Sequence, residues 1–235
     1  MIKFLKSVVL ATVTILPVSF ASAAPITTPG GLVNGDQYRL VFVTSQSRNA
    51  FSNSIANYNS WVSGIANGVT ELAALGTTWM AIGSTAAVDA RDNIGANPNV
   101  STGVPIYLLD GSTKVADNNA DLWDGTLDAG INVFENGNIA AMGLPVWTGT
   151  DDSGVAQNGG IGALGMVRPR TGAAGFDTFR WTNNGHADDE RIAPLYAISG
   201  IITVGGTSTQ IPAPGATLLF AMTLVGGLLI RRRYR

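Results

Sequence analysis

The chain contains no cysteine and only one histidine, His186, among its 235 residues. Without thiols it has no disulfide scaffold, no cysteine-ligated zinc, no iron–sulfur cluster and no thiol nucleophile. Charged residues make up only 13% of the chain and hydrophobic residues 46%, which excludes an intrinsically disordered polymer. No nucleophile elbow, P-loop or His-Glu-x-x-His motif occurs. We therefore expect a folded protein that is not an enzyme.

Residues 1–24 have the three parts of a secretory signal peptide. Two lysines stand within the first six residues, and Ser7–Phe20 is an uncharged, mostly apolar run. Ala21-Ser22-Ala23 then supplies the small residues that signal peptidase accepts. We expect cleavage here, with a mature chain that begins near Pro25.

The other end of the chain is an uncharged run followed by a basic cluster. The 15 residues from Ala216 to Ile230 rise only ~22 Å as a helix, short of the ~30 Å bilayer core. A transmembrane helix over residues 213–230 reaches across if the following arginine stems snorkel. Those arginines hold the tail on the cytoplasmic side, so the intervening chain lies outside the inner membrane. The membrane-stop cluster is Arg231, Arg232, Arg233 and Arg235.

Residues 211–235 resemble a PEP-CTERM sorting tail, in which a proline motif precedes a short transmembrane helix and an arginine cluster. The motif here is Pro212-Ala213-Pro214, with Ile211 before it, where the usual sequence is Val-Pro-Glu-Pro. The resemblance implies recognition by an exosortase-type enzyme and cleavage near the motif. It also implies delivery to the cell surface or extracellular matrix of a Gram-negative bacterium that makes exopolysaccharide. A plain C-terminal membrane anchor is the alternative.

Between these ends we expect one exported domain, residues 25–204, and a flexible linker, residues 205–210. From residue 25 to residue 210 there are eight basic side chains against all 16 acidic ones, a net charge of −8. This charge argues against nucleic acid and anionic lipid as partners of the domain. It suits solubility or cation binding.

The domain has two long β-branched runs, Tyr38–Thr44 and Leu195–Val204, and we expect them to be neighbouring strands of one sheet. Gly200 interrupts the second run and predicts a bulge. An amphipathic helix is predicted between Ser52 or Asn53 and Asn67-Gly68. Its apolar face is Phe51, Ile55, Tyr58, Val62 and Ile65. Short strands are predicted at Trp79–Ile82, Pro105–Leu109, Val146–Thr148 and Ile161–Met166. The fold class is α+β.

Over residues 37–204 the order of these elements resembles bacterial lectin-like domains of the C-type lectin and endostatin-like class. Short aromatic motifs carry the resemblance, among them Trp79-Met80-Ala81-Ile82, Leu122-Trp123-Asp124-Gly125 and Val146-Trp147-Thr148-Gly149-Thr150. It implies a single loop-rich domain with paired terminal strands. Such domains often carry two disulfides. Because this chain has no cysteine, aromatic packing has to replace them.

The most polar stretch of the domain lies between residues 117 and 128. Oxygen ligands at alternate positions suit a hard cation such as Ca²⁺. The EF-hand pattern does not fit, because Leu122 stands where that loop needs glycine. A looser and weak Ca²⁺ site remains open beside simple Asx-turns and helix caps, and no other cofactor is expected. The candidate ligands are Asp117, Asn119, Asp121, Asp124 and Asp128.

The five tryptophans are candidates for stacking on sugar rings, although a core without disulfides needs their area. Trp123 is the best sugar-stacking candidate, because it stands among carboxylates. The sequence thus predicts an exported surface or matrix protein that associates with extracellular polysaccharide or partner proteins. A secreted carboxylate-dependent hydrolase and a purely structural membrane-anchored protein are the alternatives. Two carboxyl groups ~5–9.5 Å apart in a concave site would favour the hydrolase.

Overall fold

The computed structural model describes residues 24–157 and 161–205. The predicted signal peptide, the sorting motif, the span over residues 213–230 and the arginine cluster lie outside these residues, as does most of the linker. Within the described residues, no helix is long and apolar enough to cross a membrane. The expectations for both ends of the chain therefore stay predictions.

The described chain is a mixed α+β fold with few helices and two main sheets, which confirms the predicted class. In chain order the elements are β1 (Gln37–Val43), α1 (Ile55–Asn67), α2 (Thr70–Ala73), β2 (Trp79–Ala81), α3 (Ala90–Asn93), β3 (Ile106–Leu108), β4 (Lys114–Ala116), α4 (Asn119–Leu122), β5 (Pro145–Trp147), β6 (Arg170–Ala173), a 3₁₀ turn (Phe179–Trp181), β7 (Gly185–His186), β8 (Tyr196–Ser199) and β9 (Ile202–Thr203). The order in the larger sheet is β2-β8-β1-β3-β4, with β9 also on β1, and the smaller sheet is β5-β6-β7.

The terminal strands are neighbours, as the sequence predicts. β1 runs antiparallel to β8, with Val41 opposite Ile198, and β9 continues along β1 with Tyr38 opposite Ile202. Between these two pairs β1 advances three residues and its partner advances four. One extra residue therefore bulges from the C-terminal strand beside Gly200, which confirms the predicted bulge.

β1 lies at the centre of the larger sheet and is buried from Tyr38 to Val43. This burial includes Arg39, whose side chain is only 3% exposed. Its Nε donates to the Ser199 carbonyl and its Nη2 to the Ile94 carbonyl, each at 2.7 Å. Burial lowers the pKa of Arg39 to about 10, because desolvation disfavours the charged guanidinium. Arg39 thus ties the core of β1 to β8 and to the end of α3.

Helix α1 confirms the predicted amphipathic helix with one correction at its start. Tyr58, Val62 and Ile65 are buried on one face, as predicted. Phe51 is not part of that face: it precedes the helix and is 52% exposed. The N-cap is Ser54 rather than either predicted residue, and its side chain makes no capping hydrogen bond. The single-turn helices α2, α3 and α4 were not predicted, because four residues are too few for a helical pattern.

Residues 117–194, here called the loop region, contain the smaller sheet and mostly irregular chain. The predicted strand at Val146–Thr148 is confirmed as β5. The predicted strand at Ile161–Met166 is wrong: only isolated bridges occur there, at Gly162 and Leu164. Its two glycines have φ values of +110° and +83°, which an extended strand does not adopt.

Aromatic rings pack the loop region against the larger sheet. The Trp123 and Trp181 ring centroids are 5.4 Å apart, and Trp181 lies 5.9 Å from Tyr196 of β8. Trp147 and Trp181 are fully buried, and the Trp147 indole donates to the Arg48 carbonyl at 2.9 Å. These contacts supply the aromatic packing that the absence of cysteine led us to expect.

Candidate functional site

Three of the five predicted cation ligands come together at the surface between β4 and α4. Asp117 follows β4, Asp121 lies in α4, and the Asp128 amide is hydrogen-bonded to the Val115 carbonyl of β4. One carboxylate oxygen from each aspartate lies within 4.8 Å of the others. We call Asp117, Asp121 and Asp128 the aspartate cluster. Its carboxylates are the type of ligand that Ca²⁺ takes.

A lysine already lies against the aspartate cluster. The Lys114 ammonium donates to Asp117 Oδ1 and lies 3.4 Å from Asp128 Oδ2. The hydrogen bond to Asp117 is the main cause of the raised pKa of Lys114. The Asp117 amide also donates to Asp121 Oδ2 at 2.6 Å. A divalent cation would compete with the ammonium for the same carboxylates, which weakens the case for a metal here.

The other two predicted ligands lie elsewhere and have structural partners. Asn119 is buried, and its Nδ2 donates to the carbonyl and hydroxyl oxygens of Ser101 at 2.9 and 3.0 Å. Asp124 Oδ1 accepts from the amide and the hydroxyl of Thr126, each at 2.9 Å. Including Asn119 and Asp124 in one cation site was therefore wrong. Alternation along the sequence does not bring ligands together when a helical turn rotates every second side chain away.

The helix cap that the sequence left open as an alternative for this stretch is Asn118. Its side chain accepts from the amides of Ala120 and Asp121 at 2.9 and 3.1 Å and caps α4. Asn118 and Asp124 therefore follow the alternative prediction for this stretch, namely helix caps and Asx-turns.

Trp123, the sugar-stacking candidate, is a core residue. It is only 6% exposed, its indole donates to the Ala96 carbonyl at 3.0 Å, and Trp181 packs on its ring. A Cβ placed on Gly154 would lie 2.9 Å from the ring carbons, so the backbone of Gly154 also packs closely against the ring. Neighbouring carboxylates suggested an exposed ring, but the aspartates point to solvent while the indole turns inward. The sugar-stacking assignment of Trp123 is wrong.

One group of surface aromatic residues lies on and before α1; a second, Phe176 and Phe179 with Arg180 over the Phe176 ring, lies around the 3₁₀ turn. Trp61 is half-buried, unlike the other four tryptophans, and Phe51 is 52% exposed. The Arg48 guanidinium carbon lies 4.6 Å from the centroid of the Tyr58 ring and 5.7 Å from that of Trp61. We call Arg48, Phe51 and Trp61, together with the fully buried Tyr58 whose ring lies against the guanidinium, the Arg48 surface. The sequence signal for it was a lone arginine before an aromatic helix face, which helical periodicity assigned to the core.

Burial and charge act in opposite directions on Tyr58. Burial raises the pKa of Tyr58 to about 12, and the nearby positive charge of Arg48 offsets only part of that effect. The hydroxyl donates to the Ser52 carbonyl at 2.8 Å. The Arg48 guanidinium is also fixed by a 3.1 Å hydrogen bond from Nη1 to the Asn57 carbonyl. The guanidinium of Arg48 and the ring of Tyr58 are therefore held in place by the protein itself.

Two cavities lined by described residues share no lining residue with the Arg48 surface. The larger, about 620 Å³, is lined by Thr28, Tyr38 and segments 74–77 and 201–205, with no charged side chain. The smaller, about 100 Å³, has Asp92 as its one carboxylate among Gly95, Asn97 and Val100. Neither offers the pair of carboxyl groups that a carboxylate-dependent hydrolase needs.

The chain matches no protein-family model, and no curated protein is similar to it at a significant level. The fold and the geometry above are therefore the basis for its function.

Proposed function

We propose that the protein is a non-enzymatic, exported surface or matrix protein of lectin-like fold, processed by an exosortase-type enzyme. One observation carries the lectin-like part of this proposal, whereas export and processing rest on the sequence of the two ends: the terminal strands β1 and β8–β9 pair side by side, and the loop region is inserted between them. This is the arrangement that the resemblance to lectin-like domains implies. The fold alone does not define a ligand, because one fold hosts many functions.

The first and last ordered contacts of the domain lie close to the two predicted sorting signals. Near the predicted cleavage point, the Ile26 amide donates to the Leu109 carbonyl at 2.8 Å, so ordered contacts begin directly after the signal peptide. At the other end, Thr203 pairs with Gln37. The first of these contacts lies at the end of β3 and the second at the start of β1, so each predicted sorting signal adjoins an ordered strand.

The Arg48 surface supports polysaccharide as the ligand class. An exposed ring at Phe51 offers an apolar face for a sugar ring, and the fixed guanidinium of Arg48 offers donors for hydroxyl or carboxylate oxygens. Arg48 is one of eight basic side chains between residues 25 and 210, and its positive charge offers a contact for an acidic polymer. A hydrolase has less support, because neither cavity brings two carboxylates together.

Localisation and processing can be tested together. We would fractionate the producing cells and determine both termini of the exported protein by mass spectrometry. We expect a chain that begins near Pro25 and ends near Pro212–Pro214, recovered from the surface or matrix fraction. An exported chain that still carries Lys3, or a protein that keeps Arg235 and stays in the inner membrane, would contradict the proposal.

Ligand binding needs a separate measurement on the purified protein with exopolysaccharide from the same cells. We expect Phe51→Ala to weaken binding about 2- to 12-fold, the loss of roughly 0.5–1.5 kcal/mol of ring contact. Met142→Ala is the matched control, because Met142 is also exposed, at 73%, and lies outside the Arg48 surface. Equal affinities of the two variants would reject the Arg48 surface as the binding site. Absence of binding in the parent would favour a partner protein or a purely structural role.

A further inference from the structure

Three segments of the chain lie side by side at the Arg48 surface. The Ala50 amide donates to the Asp189 carbonyl at 2.9 Å, and the Asp189 amide donates to the Val167 carbonyl at 3.1 Å. Arg48 and Ala193 exchange two backbone hydrogen bonds, each of 3.0 Å. Because these bonds link the segments directly, they place Asp189 next to the chain that carries Arg48. The three segments are 48–51, 165–168 and 188–193.

The charges of these three segments cancel. They contain three basic and three acidic side chains, although residues 25–210 together carry a net charge of −8. Two of the six already face each other, since Arg168 Nε lies 3.7 Å from Asp188 Oδ1. An acidic polymer would gain the attraction of Arg48 here but would also meet three carboxylates, whereas a neutral ligand meets no net repulsion. The six are Arg48, Arg168, Arg191, Asp188, Asp189 and Glu190.

Arg48 and Asp189 both keep hydrogen-bonding capacity that the protein does not use. Arg48 Nε donates to the Asn49 carbonyl at 3.3 Å, and its Nη1 donates to the Asn57 carbonyl at 3.1 Å. Among the described residues, neither Arg48 Nη2 nor the Asp189 carboxylate has a hydrogen-bond partner. Asp189 is half-buried, and its charge acts on Tyr58: burial is the main cause of the raised pKa of Tyr58, and Asp189 adds to it. A free donor and a free acceptor therefore lie near the same ring.

We propose that Asp189 is a further binding residue of the Arg48 surface, and that this surface takes a neutral, hydroxyl-rich sugar unit rather than a uronic acid. This inference rests on the polysaccharide binding proposed above. A hydroxyl group both donates and accepts, so neighbouring sugar hydroxyls can donate to the Asp189 carboxylate and accept from the Arg48 guanidinium. The half-exposed ring of Phe51 contacts the apolar face of the same sugar.

Neutralising Asp189 tests the inference through the sign of its effect. The probe is exopolysaccharide from the producing cells, titrated into the purified full chain. A neutral ligand loses a charge-assisted hydrogen bond in Asp189→Asn, and we expect its binding to weaken about 3- to 10-fold. An acidic ligand would instead bind more tightly, because a repelling charge is gone. Asp188→Asn makes the same charge change at the next residue and should leave the affinity of the parent unchanged.

The outcomes separate this inference from the proposed function. If the parent binds the polymer and Asp189→Asn binds it equally or more tightly, the neutral-sugar inference is overturned and polysaccharide binding stands. If Asp188→Asn weakens binding as much as Asp189→Asn, the effect is not specific to Asp189, which also overturns the inference. If the parent does not bind the polymer at all, both proposals fail.

The salt dependence of the parent provides a second test that needs no variant. Between about 50 mM and about 500 mM salt, we expect the affinity for the same polymer to change less than about twofold, because a neutral sugar has no charge to screen. A loss of about tenfold or more over this range would show that the bound polymer is acidic and would overturn the inference.

Discussion

Different contacts order the backbone in two regions of the molecule: the loop region, and the larger sheet with α1. In the sheet, β1 has seven residues, and its hydrogen bonds to β3, β8 and β9 fix the backbone directly. The other strands of the larger sheet are as short as those of the loop region, two to four residues, but they join one sheet built around β1. Many contacts of the loop region are instead isolated bridges. There the buried tryptophans link one loop to the next. A chain without disulfides can thus order long loops, provided that large rings fill the space between them.

The largest expected effect is the loss of one of these rings. Trp181→Ala removes a fully buried indole that contacts both Trp123 and Tyr196. We expect it to lower the free energy of unfolding by about 3–5 kcal/mol, measured by urea denaturation. Trp61→Ala, at a half-buried position on α1, is the control and should cost clearly less. Similar losses for the two variants would mean that the loop region does not depend on its buried rings.

A smaller effect is expected where the backbone must approach a ring. Gly154 has φ +77°, and a Cβ there would lie 2.9 Å from the Trp123 ring. Gly154→Ala should therefore lower the free energy of unfolding by roughly 1–3 kcal/mol. Gly76→Ala is the matched control, because Gly76 has φ +59° and nothing lies within 4 Å of its Cβ position. Both variants carry the backbone strain, so the difference between their losses of unfolding free energy measures the clash with the Trp123 ring. Equal losses would show that close packing against Trp123 contributes nothing at Gly154.

The region of α1 can be examined separately through pH. Because burial raises the pKa of Tyr58 to about 12, its contribution to stability is complete below pH ~10 and is lost as the pH rises from about 10 to about 12. We expect the melting temperature of the parent to fall more steeply over this range than that of Tyr58→Phe. Arg39 and Tyr196 are present in both proteins, so the difference in slope reports Tyr58. Equal slopes for the parent and Tyr58→Phe would show that the pKa of Tyr58 is the same in the folded and unfolded chains.

The smallest expected effect is that of Ca²⁺ on the aspartate cluster. Because Lys114 already contacts two of its carboxylates, we expect ~10 mM Ca²⁺ to leave the parent's melting temperature at its value in EDTA. Lys114→Ala should gain a Ca²⁺-dependent rise. For a dissociation constant of ~1 mM that rise corresponds to about 1.4 kcal/mol.

The outcome for the parent decides whether the cluster is a cation site. A Ca²⁺-dependent rise in the parent that Asp121→Ala abolishes would establish the site despite the lysine. No rise in Lys114→Ala would show that the three carboxylates do not act as joint ligands. Asp124→Ala is the control for either result, because its carboxylate is occupied by Thr126.

The local sequence pattern was sufficient to predict those elements whose structure depends mainly on their own residues. The β-branched runs predicted β1 and β8–β9, Gly200 predicted the bulge, and the spacing of apolar residues predicted α1. β6 was missed because Arg-Thr-Gly-Ala has little strand propensity and pairs only through its neighbours β5 and β7. The same limit applies to the candidate site: composition located the aspartates, but not which of them meet.

The sequence by itself determined the α+β class, the paired terminal strands and the need for aromatic packing in a chain without cysteine. It also predicts a sorting signal at each end of the chain. Only the tertiary structure decided the side-chain environments: Lys114 beside the aspartate cluster, Trp123 in the core and Arg48 over the rings of α1. The physical reason is that periodicity reports which residues share one face of a single helix or strand. These environments instead join side chains of different elements, and burial there depends on how the rest of the chain packs against them.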